Sequence, residues 1–438
     1  MKSIKWEITR RCNLQCKHCF VGKVEYEQDL ELEEAKKIVD IVISSGAREL
    51  QLTSKEPFAY KYINELLDYC AEKDIFLTIV TNGTMITEET IKHLAACKIK
   101  TISISLEGIS AKSNDYIRGV GVFDRVMKSL ELLHVLSNGS KYVVPIALQI
   151  SLTAMNLEEI PDMIKWFSEK PFFAVNVGDI SLVGNARDNM NIKLTEEQYD
   201  KAAKKLLDDY SKLHNPSFIL TLKKATVFDT LYHNMCYGLA MEAYTPSCSA
   251  YHGYSAVLPN ADICSCVALK DSHYEGVEGL SSTLNLLRDG HFENISRISG
   301  LGDYKKQGMC SKCRFKDDCE MCLLLIYDKA YFAEVLNKCK KAMEKLDYIM
   351  THILMGNVYF KLNPHVNIWE EKGNVYLKKL SNMGSEHILD ITEYKEQFLQ
   401  LYDEKKFVTT KNMKHKVKDY EQLIDDLIYN DMLEIQEC

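Results

Sequence analysis

Fifteen cysteines are spread along this 438-residue chain, and two groups of them have spacings that can do chemistry. Cys12, Cys16 and Cys19 form a C-x3-C-x2-C run. Three thiolates on one short loop converge on one face of a cubane iron–sulfur cluster and leave the fourth iron open to a small molecule. A zinc knuckle is the competing use of the same residues. It needs a fourth protein ligand, for which His18 is the candidate. The second group is denser: Cys310, Cys313, Cys319 and Cys322, with Cys339 after them and Cys248, Cys264 and Cys266 before. Eight cysteines suffice for two more cubane clusters, while two C-x2-C pairs equally suit a zinc ribbon, and spacing leaves both readings open. Cys70 and Cys97 fall on amphipathic stretches, where cysteine is usually a small core residue. Cys236, between the two groups, is a candidate hydrogen-atom donor or further cluster ligand.

The elements that must position the first group follow a rhythm. Strand patterns are predicted at Lys5–Thr9, Glu49–Thr53, Phe76–Thr81, Thr101–Leu106, Ile146–Leu152 and Phe172–Val177. Amphipathic helices are predicted between and after them, over Leu32–Ile43, Tyr60–Lys73, Glu88–Cys97, Phe123–Leu136, Ile160–Ser168 and Glu196–Leu213. Six strand–helix units with short turns imply parallel strands and right-handed crossovers, hence an α/β fold built on a partial, TIM-like (β/α)6 barrel. Chemistry in such folds sits at the carboxyl ends of the strands, and Cys12 follows the first of them. The rhythm stops near residue 214. Residues 214–356 read as a bridging, cysteine-rich region in which regular structure looks short. Residues 357–438 read as a small α+β domain. Its strand patterns are Val358–Leu362, Val366–Glu370 and Asn374–Leu380, and helices follow at Tyr394–Tyr402 and Tyr420–Leu433.

Bulk properties narrow the function. The length suits two or three domains, and a hydrophobic content of 46% is enough for ordinary cores. A net charge of −8 argues against nucleic acid as the main partner. No apolar stretch has the character of a signal sequence or the length of a membrane span, so no membrane partner and a cytoplasmic location are expected. Clustered cysteines in a reducing compartment more often hold metal than form disulfides.

The segment Cys12-Asn13-Leu14-Gln15-Cys16-Lys17-His18-Cys19 at the end of a first strand resembles the signature of the radical S-adenosylmethionine superfamily. The resemblance continues in order through Thr81-Asn82-Gly83-Thr84, Ser103-Ile104-Ser105-Leu106-Glu107-Gly108 and Asp115-Tyr116-Ile117-Arg118-Gly119. It implies that Cys12, Cys16 and Cys19 hold a 4Fe–4S cluster whose open iron chelates S-adenosylmethionine. Reductive C–S cleavage would then yield a 5′-deoxyadenosyl radical that abstracts hydrogen from substrate. His18, Glu56, Pro57, Asn82, Ser105 and Glu107 are the cofactor contacts it implies. For Ser105, a plain polar strand end is the alternative. One motif departs: where the family has Gly-Gly-Glu-Pro, this chain has Ser54-Lys55-Glu56-Pro57, which puts the contact to the methionine amino group in doubt.

The later cysteines resemble the SPASM domain, which carries two auxiliary 4Fe–4S clusters. By that likeness Cys310, Cys313, Cys319 and Cys339 hold the outer cluster, and Cys248, Cys266 and Cys322 the inner one. Its fourth position falls to Cys264 or stays open to a substrate thiolate. Ala261 stands where the family's hairpin has glycine, and the final C-x2-C is one residue shorter than usual. Residues 357–438 resemble the RiPP recognition element, a winged-helix-like unit that binds leader peptides. Tyr359-Phe360-Lys361-Leu362-Asn363-Pro364 and a closing helix running into Asn430–Ile435 carry that likeness. Asp425, Asp426, Asp431 and Glu434 disfavour a DNA-reading winged helix. Together these imply a maturase that binds the leader of a ribosomally made precursor peptide and forms a thioether or other crosslink in it, fed by an electron donor such as ferredoxin or flavodoxin. The alternatives are a formylglycine-forming enzyme like the anaerobic sulfatase maturases, a peptide epimerase, and a non-catalytic iron–sulfur or zinc scaffold.

Overall fold

The computed structural model describes residues 3–22, 28–139, 144–182, 184–213, 216–222, 226–241, 256–264, 281–290, 303–306, 308–317, 319, 329–381, 386–401, 406–412 and 417–436. The chain divides into two compact units. The first comprises Met1–Ala202 and Pro246–Lys329, the second Ala203–Thr245 and Ala330–Cys438.

The first unit is built on six parallel strands: β1 (Ser3–Glu7), β2 (Glu49–Thr53), β3 (Phe76–Thr81), β4 (Lys98–Ser105), β5 (Ile146–Ser151) and β6 (Ala174–Gly178). Each pairs in parallel with the next. The register lines up Trp6, Leu52, Ile79, Ile102 and Ile146, all within 1% of full burial. Such a row, apolar on five successive strands, is what a parallel sheet covered on both faces requires. Helices α1 (Leu32–Ser44), α2 (Ile63–Glu72), α3 (Glu88–Ala96), α4 (Ala111–Arg118), α5 (Val122–Gly139) and α6 (Ile160–Ser168) make the crossovers. In α1 the buried residues Ala35, Ile38, Val39 and Val42 recur at helical spacing, and Glu31 with Glu34 closes a capping box at its start. On the other side of β1, the short strand Ala256–Val257 adds in parallel and turns back as Asp262–Cys264. The partial parallel barrel is as the alternating pattern predicts, with β2 and β3 at their expected bounds and the other strand ends within three residues of theirs.

In the second unit, Val366–Glu371, Asn374–Leu380 and Glu386–Asp390 form an antiparallel sheet. The third strand was not foreseen from the sequence. A second difference lies at the end of the chain. The helix predicted to run through Leu433 stops at Tyr429, and Leu433–Ile435 is a strand paired with Phe360–Leu362. Asp431 takes a left-handed φ of 63°, which no helix tolerates, and Leu433 and Ile435 then bury on alternate positions. A third difference is a 26-residue helix, Lys329–Leu354, where the sequence suggested only short structure.

The unit boundaries also differ from those expected at 213/214 and 356/357, for a physical reason. Lys379 is fully buried and its Nζ donates to Asp431 Oδ2 at 2.7 Å, to the Asp431 carbonyl at 2.8 Å and to the Leu239 carbonyl at 3.1 Å. Asn234 Nδ2, on the helix Val227–Tyr237, donates to the same Asp431 carboxylate at 2.7 Å and to the Met241 carbonyl at 2.7 Å. A buried charge pair needs every partner it has. This knot therefore draws residues 226–241, which the sequence placed in the bridging region, into one body with the C-terminal sheet. Among the described residues no helix is long and apolar enough to cross a membrane.

Candidate active site

The Cys12–Cys19 loop leaves the carboxyl end of β1 and is held from four directions. From β2, the Glu56 amide donates to the Arg11 carbonyl at 3.1 Å. From β3, Asn82 Nδ2 donates to Asn13 Oδ1 at 2.9 Å and lies 3.9 Å from Cys12 Sγ. From α4, the Ile117 carbonyl accepts from the Lys17 amide at 2.9 Å, and Arg118 Nη1 lies 3.9 Å from Cys16 Sγ. From the segment after β6, Asn185 Nδ2 donates to the Cys16 carbonyl at 2.9 Å and the Asn185 amide to the Cys19 carbonyl at 3.0 Å. The neighbouring Gly184 has φ +55°, and a Cβ there would run into the Cys19 and Phe20 carbonyls. Only glycine allows this approach.

All three loop cysteines are free thiols. Burial pushes the Cys16 thiol up to about 11, with Arg118 opposing the rise. A thiol so buried ionises only against a cation, which an iron centre supplies. Two buried polar atoms beside the loop, His18 Nδ1 and Arg118 Nε, have no hydrogen-bond partner among the described residues. Among the described residues no three His, Cys, Asp or Glu side chains gather around a single metal ion. His18, the candidate zinc ligand, turns its Nε2 to Glu107 Oε1 at 2.9 Å. Three free thiols, two flanking N–H donors and unpartnered polar atoms fit a cluster bound through three cysteines.

Two buried carboxylates organise the strand ends. Glu107, 2% exposed, accepts from Arg118 Nη2 at 2.6 Å, from His18 Nε2 at 2.9 Å and from the Ser151 amide at 2.7 Å. Burial pushes its carboxyl up, but His18 and Arg118 outweigh that and hold it well below the usual carboxylate range. Asn114 and Asn156 bind the Glu107 backbone in turn, at 2.9 Å and 3.1 Å. Glu56 is fully buried and accepts from Thr81 Oγ1, the Asn82 amide and the Phe58 amide at 2.7, 2.7 and 3.1 Å. Its burial outweighs these bonds and pushes it up to about 7. Pro57 follows in a buried turn. Glu56 and Glu107, expected as cofactor contacts, thus spend their oxygens on the protein. Asn82 does much the same, with its Oδ1 taken by Thr84. Ser105 ends β4, partly buried, with no hydroxyl partner among the described residues.

At the motif's departure, Ser54 keeps the left-handed backbone that glycine favours, with φ 77°. Ala261 does the same in its hairpin at φ 67°. Sequence reasoning named Arg118 within a motif without giving it a role, and missed Asn185, whose only signal is the Gly-Asn pair after β6.

Of the second cysteine group, Cys248, Cys266 and Cys322 lie outside the described residues. Cys310, Cys313 and Cys319 are partly buried, and burial, then the charges of Cys319 and Cys313, push the Cys310 thiol up. The Cys313 amide donates to the Cys310 carbonyl at 3.2 Å. Cys264 is 1% exposed and packs with Ala256 and Leu258. Cys339 lies on the long helix of the second unit. Cys236 is disulfide-bonded.

Comparison with known proteins places this geometry. The chain is 29% identical over 49% of its length to the Fe-coproporphyrin III synthase of Methanosarcina barkeri, covering 53% of that protein. It is 29% identical over 45% of its length to the subtilosin biosynthesis protein AlbA of Bacillus subtilis, covering 43% of it. It spans about half the length of these curated relatives. A longer match, 24% identical over 72% of the chain and 76% of the relative, is to the mycofactocin maturase MftC of Mycolicibacterium smegmatis. Among solved structures, Streptococcus suis SuiB bound to its precursor peptide SuiA superposes with a TM-score of 0.55 at 18% identity, over 75% of this chain and 73% of that one. The structure of anSMEcpe with bound AdoMet and a peptide gives 0.57 at 18%, over 79% and 98%. These two likenesses speak to the fold. Residues 6–167 match the Radical SAM superfamily, and they contain the three-cysteine loop, Glu56, Glu107 and Arg118; this part of the chain is therefore a radical SAM domain.

Proposed function

We propose that this chain is a maturase of a ribosomally synthesised precursor peptide. The observation that carries the reading is the free-thiol loop clamped at the carboxyl end of the parallel sheet by Asn82, Arg118 and Asn185. Cys12, Cys16 and Cys19 would hold a 4Fe–4S cluster and, with it, S-adenosylmethionine, which when bound supplies the radical that removes hydrogen from substrate. Ser105 offers that cofactor an unoccupied hydroxyl, while Glu56 and Glu107 set the strand ends around it. Support for a peptide substrate comes from relatives named as a bacteriocin biosynthesis protein and a mycofactocin maturase, and from fold neighbours solved with peptides bound. The haem-pathway synthases match over about half the chain, which argues for shared cofactor machinery more than for a porphyrin substrate.

Cys310, Cys313, Cys319 and Cys339, and Cys248, Cys264, Cys266 and Cys322, would carry two auxiliary clusters. These would give the second electron a way out, and a donor such as ferredoxin or flavodoxin would supply the first. In the C-terminal sheet, Val366–Glu371 and Glu386–Asp390 are edge strands, where an extended leader adds through backbone bonds. A thioether or related crosslink is the favoured product.

Anaerobic coexpression with the candidate precursor peptide tests the reading. A loss of about two mass units per event is expected, because a crosslink removes two hydrogens. An unchanged mass without deuterium uptake from solvent overturns it. Reconstituted protein is expected to carry about twelve iron atoms per chain, and about four would remove the auxiliary clusters.

A further inference from the structure

Ser54 and Lys55 replace the two glycines of the related motif, and the structure gives the replacement a use. β2 ends at Thr53. Ser54 then turns the chain through its left-handed φ, its Oγ anchored on Glu7 Oε1 at 3.0 Å. The turn sends Lys55 across the base of the cysteine loop. Lys55 Nζ donates to the Gly22 carbonyl at 2.5 Å, three residues past Cys19, while the Glu56 amide next to it binds the Arg11 carbonyl, one residue before Cys12. Lys55 is half-buried, and no carboxylate pairs with it among the described residues. Of the other cations at the loop, Arg118 is matched at 2.6 Å by Glu107, Arg11 at 3.2 Å by Asp29, and Lys17 lies 3.3 Å over the Tyr116 ring.

We propose that Lys55 tunes the centre held by Cys12, Cys16 and Cys19: its fixed ammonium favours the reduced, more negative form and so raises the reduction potential. The inference rests on the reading that this loop holds a cluster. Net charge and nearby fields are among the levers that set such potentials. The reaction concerned is the uptake of one electron from an external low-potential reductant, dithionite in vitro or a reduced flavodoxin, with no bond made or broken. As a positioning residue, Lys55 acts on the centre without touching substrate.

The test is an EPR-monitored dithionite titration of the full, anaerobically reconstituted chain, following the signal that changes on adding S-adenosylmethionine. Lys55→Gln keeps a hydrogen-bond donor and removes the charge; Lys55→Arg keeps both. Lys55→Gln is expected to shift the reduction equilibrium about tenfold toward the oxidised form, ~59 mV lower for one electron, with Lys55→Arg close to the parent. An unmoved midpoint in Lys55→Gln, or an equal drop in both variants, overturns the proposal. If Lys55→Gln loads poorly, the double variant Ser54→Gly, Lys55→Gly restores the family's glycines and is read the same way. A parent chain with no S-adenosylmethionine-responsive signal would instead overturn the cluster reading itself.

Discussion

Glu56 and Glu107 are both buried acids at strand ends, yet they are held in opposite directions. Glu107 meets a guanidinium and an imidazole and stays ionised, whereas Glu56 meets only neutral donors and rises to about 7. The difference lies in the sign of the neighbours rather than in depth. Glycines matter as much as charges here. Gly184 and Gly22 face each other, with a Cβ on Gly22 3.2 Å from Gly184 Cα, so the loop closes only where neither carries a side chain. Gly184→Ala is expected to cost about 1–3 kcal/mol of strain. Iron bound per chain at the first site should fall several-fold while far-UV circular dichroism stays near the parent. Full iron loading in that variant would mean the loop is looser than its contacts imply.

At the level of elements, the crossovers are locked by contacts between successive helices. His93 on α3 pairs through Nδ1 with Asp68 on α2 at 2.7 Å, with Glu89 3.5 Å from its other nitrogen. The bond to Asp68 raises the His93 pKa above 6.5 against a smaller opposing effect of burial. A raised histidine pKa adds stability that is complete below about 6.5 and disappears as pH rises through the folded value. The NMR titration of His93 is expected to centre above 6.5 and to move down in Asp68→Asn; a midpoint unchanged by that substitution would separate the two helices energetically. The turns after β2 and at Ala261 carry another lesson. Both keep left-handed backbone without glycine, so the local path is dictated by the strands they join even where the residue resists it.

At the scale of the whole molecule, a buried polar knot ties the second unit together. Lys379→Met leaves the Asp431 carboxylate buried without its cation, which costs about 3–5 kcal/mol. Amide exchange should accelerate in Phe360–Leu362 and Leu433–Ile435, the strand pair next to the knot. Adding Asp431→Asn removes the stranded charge and should recover part of the loss. If the single variant exchanges like the parent, Lys379 contributes nothing to holding residues 226–241 against the sheet.

The cysteine loop and the parallel sheet were legible in the sequence because their determinants are local. Cys12, Cys16 and Cys19 span eight residues, and each strand or helix announces its own period within a short window. What surrounds the loop was not legible. His18 meets Glu107 across 89 residues, Asn185 meets Cys16 across 169, and Asn234 meets Asp431 across 197. No local pattern encodes such pairings, because a polar side chain looks alike whether it faces water or a buried partner. For the same reason Leu433–Ile435 read as the tail of a helix: three residues become a strand only when Phe360–Leu362 stand beside them to take their hydrogen bonds. The sequence by itself determined which thiols share the loop after β1 and the fold class that presents them. The tertiary structure alone decided which charges face those thiols, because burial and distance, the quantities that set an electrostatic effect, exist only once the chain has closed.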